Sequence, residues 1–325
     1  MKKNKHYIYR PIKTSDANSL YELSKKASGG LSNLPKTLDG AKKIIKLSND
    51  SFENKVNLKN KRFTFVVESN EKEVIGISAI KTRVGIKRPY YSFLVNSAGK
   101  YPTLELISQR IGPSEIGSLF LSPDYRNQGV GRLLSLSRFL FVGSFENLFT
   151  NTIIAELRGF LYKNNASPFW NHIGKKFIDM SFNKADKQSV KDITFIDQNF
   201  PKKPIYLNLI NPKIFDYLGT VHPFTEPAKR LLLSESFRLT NHIDIFDGGP
   251  KLECTTKKIR TIKESKKTTL NGLKKALTNE SFLVCNQSYN NFRCMKVTQE
   301  TPLKLIKQEL HIQDKDPILY VKERS

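Results

Sequence analysis

Residues 126–131 read RNQGVG, and they separate a strand pattern from a helix pattern. Upstream, residues 115–121 are a candidate β-strand, and Pro123 closes it. Downstream, residues 131–149 place apolar side chains close to a 3.6-residue period, which predicts an amphipathic helix. Glycines in the turn let a ligand approach the backbone closely. The order therefore predicts an anion site at the helix N terminus, where free N–H groups and the helix dipole favour negative charge.

The rest of the chain carries further strand and helix patterns on both sides of this turn. Strands are predicted over residues 7–11, 63–68, 74–80, 152–157, 176–180 and 241–246. Helices are predicted from Asp16 to a turn at Gly29-Gly30, from Pro168 to Gly174, and over residues 226–235. The class is thus α+β, a mixed sheet flanked by helices. A helix followed by a strand occurs in both halves of the chain, and this pattern is compatible with a structural duplication.

Composition shifts suggest three consecutive segments. Residues 1–200 contain the glycine turn, and residues 201–262 form a second half. Residues 263–325 are predicted to be a lysine-rich linker with a small β-rich appendix, the linker pattern itself running from 257 to 275.

The chain is strongly basic, with 54 lysines and arginines against 30 acids and a formal charge of +24 over 325 residues. A nucleic-acid partner is one explanation, and a surface generally rich in lysine is the other. The lysines are spread from Lys2 to Lys322 rather than clustered, which favours the second explanation. Such a surface also attracts anionic substrates.

The cysteines and the N-terminal sequence indicate the cellular compartment. Cys254, Cys285 and Cys294 form no CxxC pair, which argues against a disulfide framework and against a metal site. The basic start, MKKNKHYIYRPIK, is followed by no apolar stretch, so no signal peptide is predicted, and no apolar run is long enough to span a bilayer. A cytoplasmic protein without membrane attachment is expected.

The turn can be assigned to a ligand class by comparing phosphate-binding patterns. Neither GxGxxG nor GxxxxGK[ST] occurs, which disfavours dinucleotide and P-loop sites. The turn instead resembles the (R/Q)xxGx(G/A) pattern with which GNAT acyltransferases bind coenzyme A. The expected contacts are Arg126, Gln128, Gly129, Gly131 and Arg132, with the arginines adding charge-assisted hydrogen bonds to phosphate.

Several longer stretches resemble one family, the arginine N-succinyltransferases. They are GPSEIGSLFLSPDYRNQGVGRLLSLSRF, AELRG, SPFWNHIG, GTVHPFTEPA and FRLTNHIDIFDGGPKLEC. The resemblance covers nearly the whole chain. It implies a GNAT-like fold and a cytoplasmic enzyme that transfers the succinyl group of succinyl-CoA to the α-amine of arginine, in arginine catabolism. Succinyl-CoA would be a co-substrate, and no permanently bound cofactor is implied.

Two positions carry family roles by this resemblance. His222, in Val221-His222-Pro223, matches the family's proton donor, and Leu119 matches its succinyl-CoA position. Imidazole suits proton transfer because it titrates near neutral pH. Leu119 is expected to act through its backbone, since a strand edge can hydrogen-bond the amides of the pantetheine arm.

A guanidinium acceptor calls for carboxylates, and Glu156 and Asp247 are the candidates. Each has a structural alternative. Glu156 could pair with Arg158, and Asp247 opens the Gly248-Gly249-Pro250 turn, where aspartate is favoured for its geometry alone.

One segment departs from the family pattern, since residues 84–115 are shorter than expected, which leaves the acceptor open. The alternatives are an acyltransferase for another amine such as ornithine or lysine, a nucleic-acid-associated protein of the same fold, and a catalytically idle subunit. The sequence is also compatible with a homo-oligomer or a hetero-oligomer.

Overall fold

The computed structural model describes residues 5–27 and 34–324, so the predicted turn at Gly29-Gly30 lies outside the described residues. The strands in chain order are β1 Tyr7–Pro11, β2 Arg62–Ser69, β3 Val74–Lys81, β4 Tyr90–Asn96, β5 Thr103–Gln109, β6 Ser114–Leu121, β7 Thr152–Glu156, β8 Ile205–Tyr206, β9 Arg238–Ile243, β10 Pro250–Thr255, β11 Lys266–Thr268, β12 Phe282–Asn286, β13 Cys294–Val297 and β14 Ile318–Lys322. The helices are α1 Ala17–Lys25, α2 Leu38–Phe52, α3 Val130–Ser144, α4 Pro168–His172, α5 Phe182–Lys191, α6 Phe195–Asn199, α7 Glu226–Ser234, α8 Arg260–Glu264, α9 Leu270–Ala276 and α10 Leu303–Leu310. The predicted α+β class is confirmed.

The chain forms two compact units, each assembled from separated stretches. Unit 1 comprises residues 1–82, 114–151 and 255–325, and unit 2 comprises residues 83–113 and 152–254. This division differs from the three consecutive segments that composition suggested, because the chain enters and leaves unit 2 twice.

Unit 1 contains a sheet in the order β11-β14-β12-β13-β1-β2-β3-β6. Its pairings are antiparallel, and β1 pairs with β2 on one side and with β13 on the other. The C-terminal strands therefore belong to the sheet of unit 1 and are not a separate appendix.

The lysine-rich linker predicted around residues 257–275 is wrong, since α8, β11 and α9 occupy this stretch. Leu270 and Leu273 of α9 are buried in a core with Ile306 and Ile318, while Lys274 and Lys275 face solvent. A few buried leucines suffice to order a helix against a core, whatever the lysine content of its outer face.

Helix α3 runs through the interior of unit 1. All ten residues from Leu133 to Val142 are buried, so the helix is not amphipathic as predicted. The buried Arg138 donates to the carbonyl and hydroxyl of Ser135, and burial lowers the pKa of its guanidinium to about 10. The exposed loop 126–129 therefore stands on a rigid, fully packed support.

Unit 2 contains a sheet in the order β7-β10-β9-β4-β5-β8. Its core gathers Phe93, Phe169 and Trp170, each fully buried. The indole N–H of Trp170 donates to the carbonyl of Met180 at 2.8 Å. A Cβ on Gly174 would lie 2.2 Å from the Trp170 ring, so only glycine fits beneath the indole.

The strand predicted over residues 176–180 is wrong. Residues 174–176 form a 3-10 turn, and the amides of Phe177 and Ile178 bond back to the carbonyl of Gly174. The chain here wraps the tryptophan and leaves the apolar side chains of Phe177 and Met180 exposed. No helix in residues 5–27 and 34–324 has the length and apolarity needed to cross a bilayer.

Candidate active site

Strand β6 bulges where the resemblance places acyl-CoA binding. Between the pairs Ile77–Phe120 and Ala79–Gly117 the register shifts, which leaves Ser118 and Leu119 on β6 outside the ladder. Ser118 has a φ of +51°, and its hydroxyl accepts from the guanidinium of Arg62 at 3.0 Å. Because a bulge frees backbone groups from strand pairing, Leu119 lies at a point where the strand can offer N–H and C=O groups to a ligand.

The loop after β6 has the backbone of an anion cradle. Asn127 and Gly129 adopt positive φ values of 59° and 78°, and Gly129 is the N-cap of α3. No side chain caps this helix end, so its first N–H groups face outward from an exposed loop. The predicted phosphate cradle therefore has suitable geometry.

The side chains in and next to the loop have two roles: one holds the loop in place, and the others offer positive charge to a phosphate. Gln128 is held at both ends, accepting from Tyr7 at 3.3 Å and donating to the carbonyl of Asp124 at 3.0 Å. Arg126 donates to the carbonyl of Leu121, and Arg132 donates to the carbonyl of Arg324. Gln128 thus fixes the loop, while both arginines keep donors for a phosphate.

Sequence reasoning missed a further cation, Lys296 of β13. Its Nζ lies 3.7 Å from the point where a Cβ on Gly129 would be, and it pairs with Glu323 at 2.7 Å. No sequence signal indicates this, because the lysine lies 167 positions beyond the glycine and the pairing of β1 with β13 is long-range.

Gly131 offers a test that separates ligand binding from folding. Its φ is ordinary, and the nearest protein atom to an added Cβ would be a Leu121 methyl at 3.9 Å, so the fold itself does not demand glycine. Gly131→Ala should leave the free energy of unfolding within about 0.5 kcal/mol or raise it, since alanine favours helix. A methyl crowding bound pyrophosphate should weaken coenzyme A binding on the order of tenfold. Calorimetric titration with coenzyme A and urea unfolding measure the two effects, and unchanged affinity would exclude close approach at Gly131.

In unit 2, His222 is held with a defined nitrogen exposed. Its Nδ1 accepts from the backbone N–H of Phe224 at 3.2 Å, capping the 3-10 turn Pro223–Thr225. In the neutral ring the proton is therefore on Nε2. Partial burial and the charge of Arg158 lower the pKa of His222 below 6.5, so the imidazole is mainly neutral at pH 7. The arrangement presents an Nε2–H hydrogen-bond donor.

Two glycines bring Arg158 beside His222. The backbone N–H of His222 donates to the carbonyl of Arg158 at 2.9 Å, and Gly159 forms a β-bridge with Val221. On the other side, a Cβ on Gly159 would lie 2.1 Å from the carbonyl oxygen of Asp247, and one on Gly249 would lie 2.0 Å from that of Leu157. Three backbone segments thus meet at distances that only glycine permits.

The two acids proposed for the guanidinium differ in environment. Asp247 is buried, its Oδ1 accepts from the N–H of Gly249 at 2.9 Å, and burial together with Asp244 raises its pKa well above the usual value. Glu156 is half-buried and accepts a hydrogen bond from the phenol of Tyr90. Tyr90 belongs to β4, within segment 84–115, so that segment helps to position Glu156.

The structure groups the predicted residues by unit. Leu119, Arg126, Gln128, Gly129, Gly131 and Arg132 lie along β6 and the start of α3 in unit 1, and Glu156, His222 and Asp247 lie in unit 2. A cleft of about 610 Å³ in unit 2 is lined by residues such as Asn164, Asn171 and Asp179, and by none of the predicted site residues. Within the described ranges, no group of three or more His, Cys, Asp or Glu side chains could hold a metal ion.

Comparison with known proteins identifies the family of the chain. A family model described as arginine N-succinyltransferase beta subunit matches residues 7–261. Arginine N-succinyltransferase of Escherichia coli K12 is 36% identical over 303 residues, covering 89% of this chain and 88% of the relative. The structure of arginine/ornithine succinyltransferase subunit AI from Pseudomonas aeruginosa superposes with a TM-score of 0.86 at 25% identity, covering 99% of this chain and 100% of that one. The chain therefore belongs to the arginine N-succinyltransferase family of acyltransferases.

Proposed function

We propose that this chain transfers the succinyl group of succinyl-CoA to the α-amine of L-arginine, as a step of arginine catabolism. The observation that carries the proposal is the uncapped N terminus of α3 behind the Arg126–Gly131 turn, next to the bulge at Leu119. This arrangement suits the pyrophosphate and the pantetheine amides of an acyl-CoA. The family match adds the acceptor and the acyl group.

The chemistry has three requirements: a deprotonated amine, a stabilised tetrahedral oxyanion, and stabilisation of the departing thiolate. We assign stabilisation of the departing thiolate to His222, whose neutral Nε2–H can donate a hydrogen bond to the developing negative charge. A thiol of pKa about 8.5, as in cysteine, needs charge stabilisation more than full protonation to leave. The arrangement suits a donor better than a base, because the Nε2 lone pair is not free in this tautomer.

For the acceptor guanidinium we propose Glu156 rather than Asp247. A half-buried carboxylate can receive the paired N–H groups of arginine, whereas burial favours the neutral form of Asp247. Glu156→Gln should raise the KM for arginine about tenfold or more, as expected for a lost charge-assisted pair, and leave the KM for succinyl-CoA unchanged. Equal arginine KM values in the variant and the wild type would remove Glu156 from the acceptor site.

The test of the function is thiol release from succinyl-CoA with a panel of amines. Arginine-dependent release is expected, with acetyl-CoA a poor donor. Release with ornithine or lysine in preference to arginine would keep the reaction and change the acceptor. Tight coenzyme A binding without release for any amine would contradict the proposal.

We propose a cytoplasmic location. Cys254, Cys285 and Cys294 are buried and form no disulfide among the described residues, and Cys285 and Cys294 are cross-strand partners, which suits a reducing compartment. Cell fractionation with antibody detection tests this.

We also propose that the chain acts as a subunit of an oligomer. The descriptions of the matching family and of the Pseudomonas aeruginosa protein both refer to a subunit. A solution mass measured by light scattering tests it, and a mass of 37.2 kDa, that of one chain, would contradict it.

A further inference from the structure

Arg158 is a half-buried cation whose side chain has no partner among the described residues. Its Nε is shielded from solvent and has no hydrogen-bond acceptor, and its side chain makes no ion pair or hydrogen bond with the described residues. Leaving a buried charged donor unsatisfied costs free energy, so such a group calls for an explanation. A role in binding an anion provides one.

The acid that acts on the charge of Arg158 does not supply that anion. Asp247 influences the charge of Arg158, but no nitrogen of Arg158 lies within 4.0 Å of its carboxylate. Asp247 instead uses Oδ1 to hold the N–H of Gly249. The close contacts at Gly159 and Gly249 fix the backbone next to Arg158.

The position of Arg158 links it to the proposed chemistry. Its carbonyl holds the backbone N–H of His222 at 2.9 Å, and the adjacent residues Gly159 and Val221 form a bridge. The guanidinium is close enough to the imidazole to disfavour its protonation. An anion bound by Arg158 would therefore be bound beside His222.

We propose that Arg158 binds a carboxylate of a substrate next to His222 and thereby determines specificity. The inference rests on the proposed function, in which both substrates carry a carboxylate: the free end of the succinyl group and the α-carboxylate of the amino acid. A guanidinium fits either one, because its planar N–H groups match the two oxygens of a carboxylate.

The experiment compares discrimination ratios in wild type and Arg158→Gln. For the donor, succinyl-CoA is compared with butyryl-CoA, which has a methyl group in place of the carboxylate. For the acceptor, arginine is compared with argininamide. One of the two kcat/KM ratios should fall by about 30-fold or more, the effect of removing one partner of a hydrogen-bonded charge pair, and the other ratio should stay unchanged. The ratio that falls identifies the substrate that Arg158 binds.

Controls separate this role from folding and from the proposed function. Arg238→Gln alters an exposed arginine of unit 2 and should change neither ratio. Arg158→Lys keeps the charge without the planar fork and should recover part of the lost discrimination. The melting temperature of Arg158→Gln should not fall, since no internal partner is lost. Wild-type ratios in Arg158→Gln would overturn the proposal.

The same comparison can be made by calorimetric binding of the four ligands. An enzyme without turnover would refute the proposed function, while a selective loss of binding in Arg158→Gln would still support a carboxylate site. Equal binding losses for the carboxylate ligands and their neutral analogues would count against it.

Discussion

Replacement of His222 by alanine is expected to lower kcat by about 10²–10⁴-fold, the usual contribution of a positioned proton-transfer group. The variant loses the Nε2–H donor that the Phe224 cap orients, so the thiolate departs without stabilisation. The KM for succinyl-CoA should change little, because the turn that binds coenzyme A in the proposed site lies in unit 1. Steady-state kinetics over both substrates measure these parameters.

The pH profile gives a second expectation for His222. Burial and Arg158 lower its pKa below 6.5, so the neutral donor is present at pH 7 and is lost as the pH falls through the lowered pKa. Protonation also places a hydrogen on Nδ1, which must then release the Phe224 N–H. The wild-type kcat should therefore show an acidic limb below pH 6.5 that is missing in His222→Ala.

His172→Ala is the matched control, since His172 lies in the same unit and stacks on Tyr217 at 6.2 Å. It should retain near-wild-type kcat. If His222→Ala were equally active, His222 would have no part in the chemistry, and the Nε2–H would be only a by-product of capping.

Gly249→Ala should be among the most destabilising single substitutions in the chain. The new Cβ would lie 2.0 Å from the carbonyl oxygen of Leu157 and 2.5 Å from the amide nitrogen of Gly159. Both obstacles are backbone atoms, so no side-chain rotation relieves the overlap and the segments must separate. A loss of about 3–5 kcal/mol is expected, the upper range for point substitutions. Urea unfolding measures it through the midpoint at constant slope.

Gly99→Ala serves as the comparison in the same unit. The nearest atom to its added Cβ would be 3.9 Å away, so the change should stay within about 0.5 kcal/mol. Because separation of the segments also displaces Arg158 and the His222 backbone, Gly249→Ala should lose activity even where it remains folded. A Gly249→Ala protein with wild-type stability would mean that the three segments are not held as closely as described.

The motif region was predictable because its signals are local. A strand, a glycine turn and a helix follow one another within residues 114–144, and each depends on neighbours in sequence. The same holds for the hairpin of β2 and β3. The cap on His222 is nearly local as well, since it joins residues two positions apart.

The errors arose where distant packing outweighs local composition. Residues 176–180 have a strand pattern, but the chain forms a turn here. Gly174 packs against the Trp170 indole, and the indole N–H donates to the carbonyl of Met180. Lysines around 257–275 suggested a linker because the buried leucines of α9 are few. Arg158 and Lys296 give no signal in the sequence. Arg158 is singled out by its Nε, which has no hydrogen-bond acceptor among the described residues, and Lys296 by its proximity to Gly129. Neither property depends on neighbours in sequence.

The burial of α3 has a consequence for hydrogen exchange. Amides in a helix packed on every side exchange only when unit 1 opens as a whole, whereas amides of the exposed loop 126–129 exchange through small local openings. The two rates therefore differ widely along a single continuous stretch of chain. A ligand bound by the loop should slow amide exchange in the loop before it slows exchange in α3. The exchange rate of α3 reports global opening of unit 1, and both rates can be measured in the same peptide.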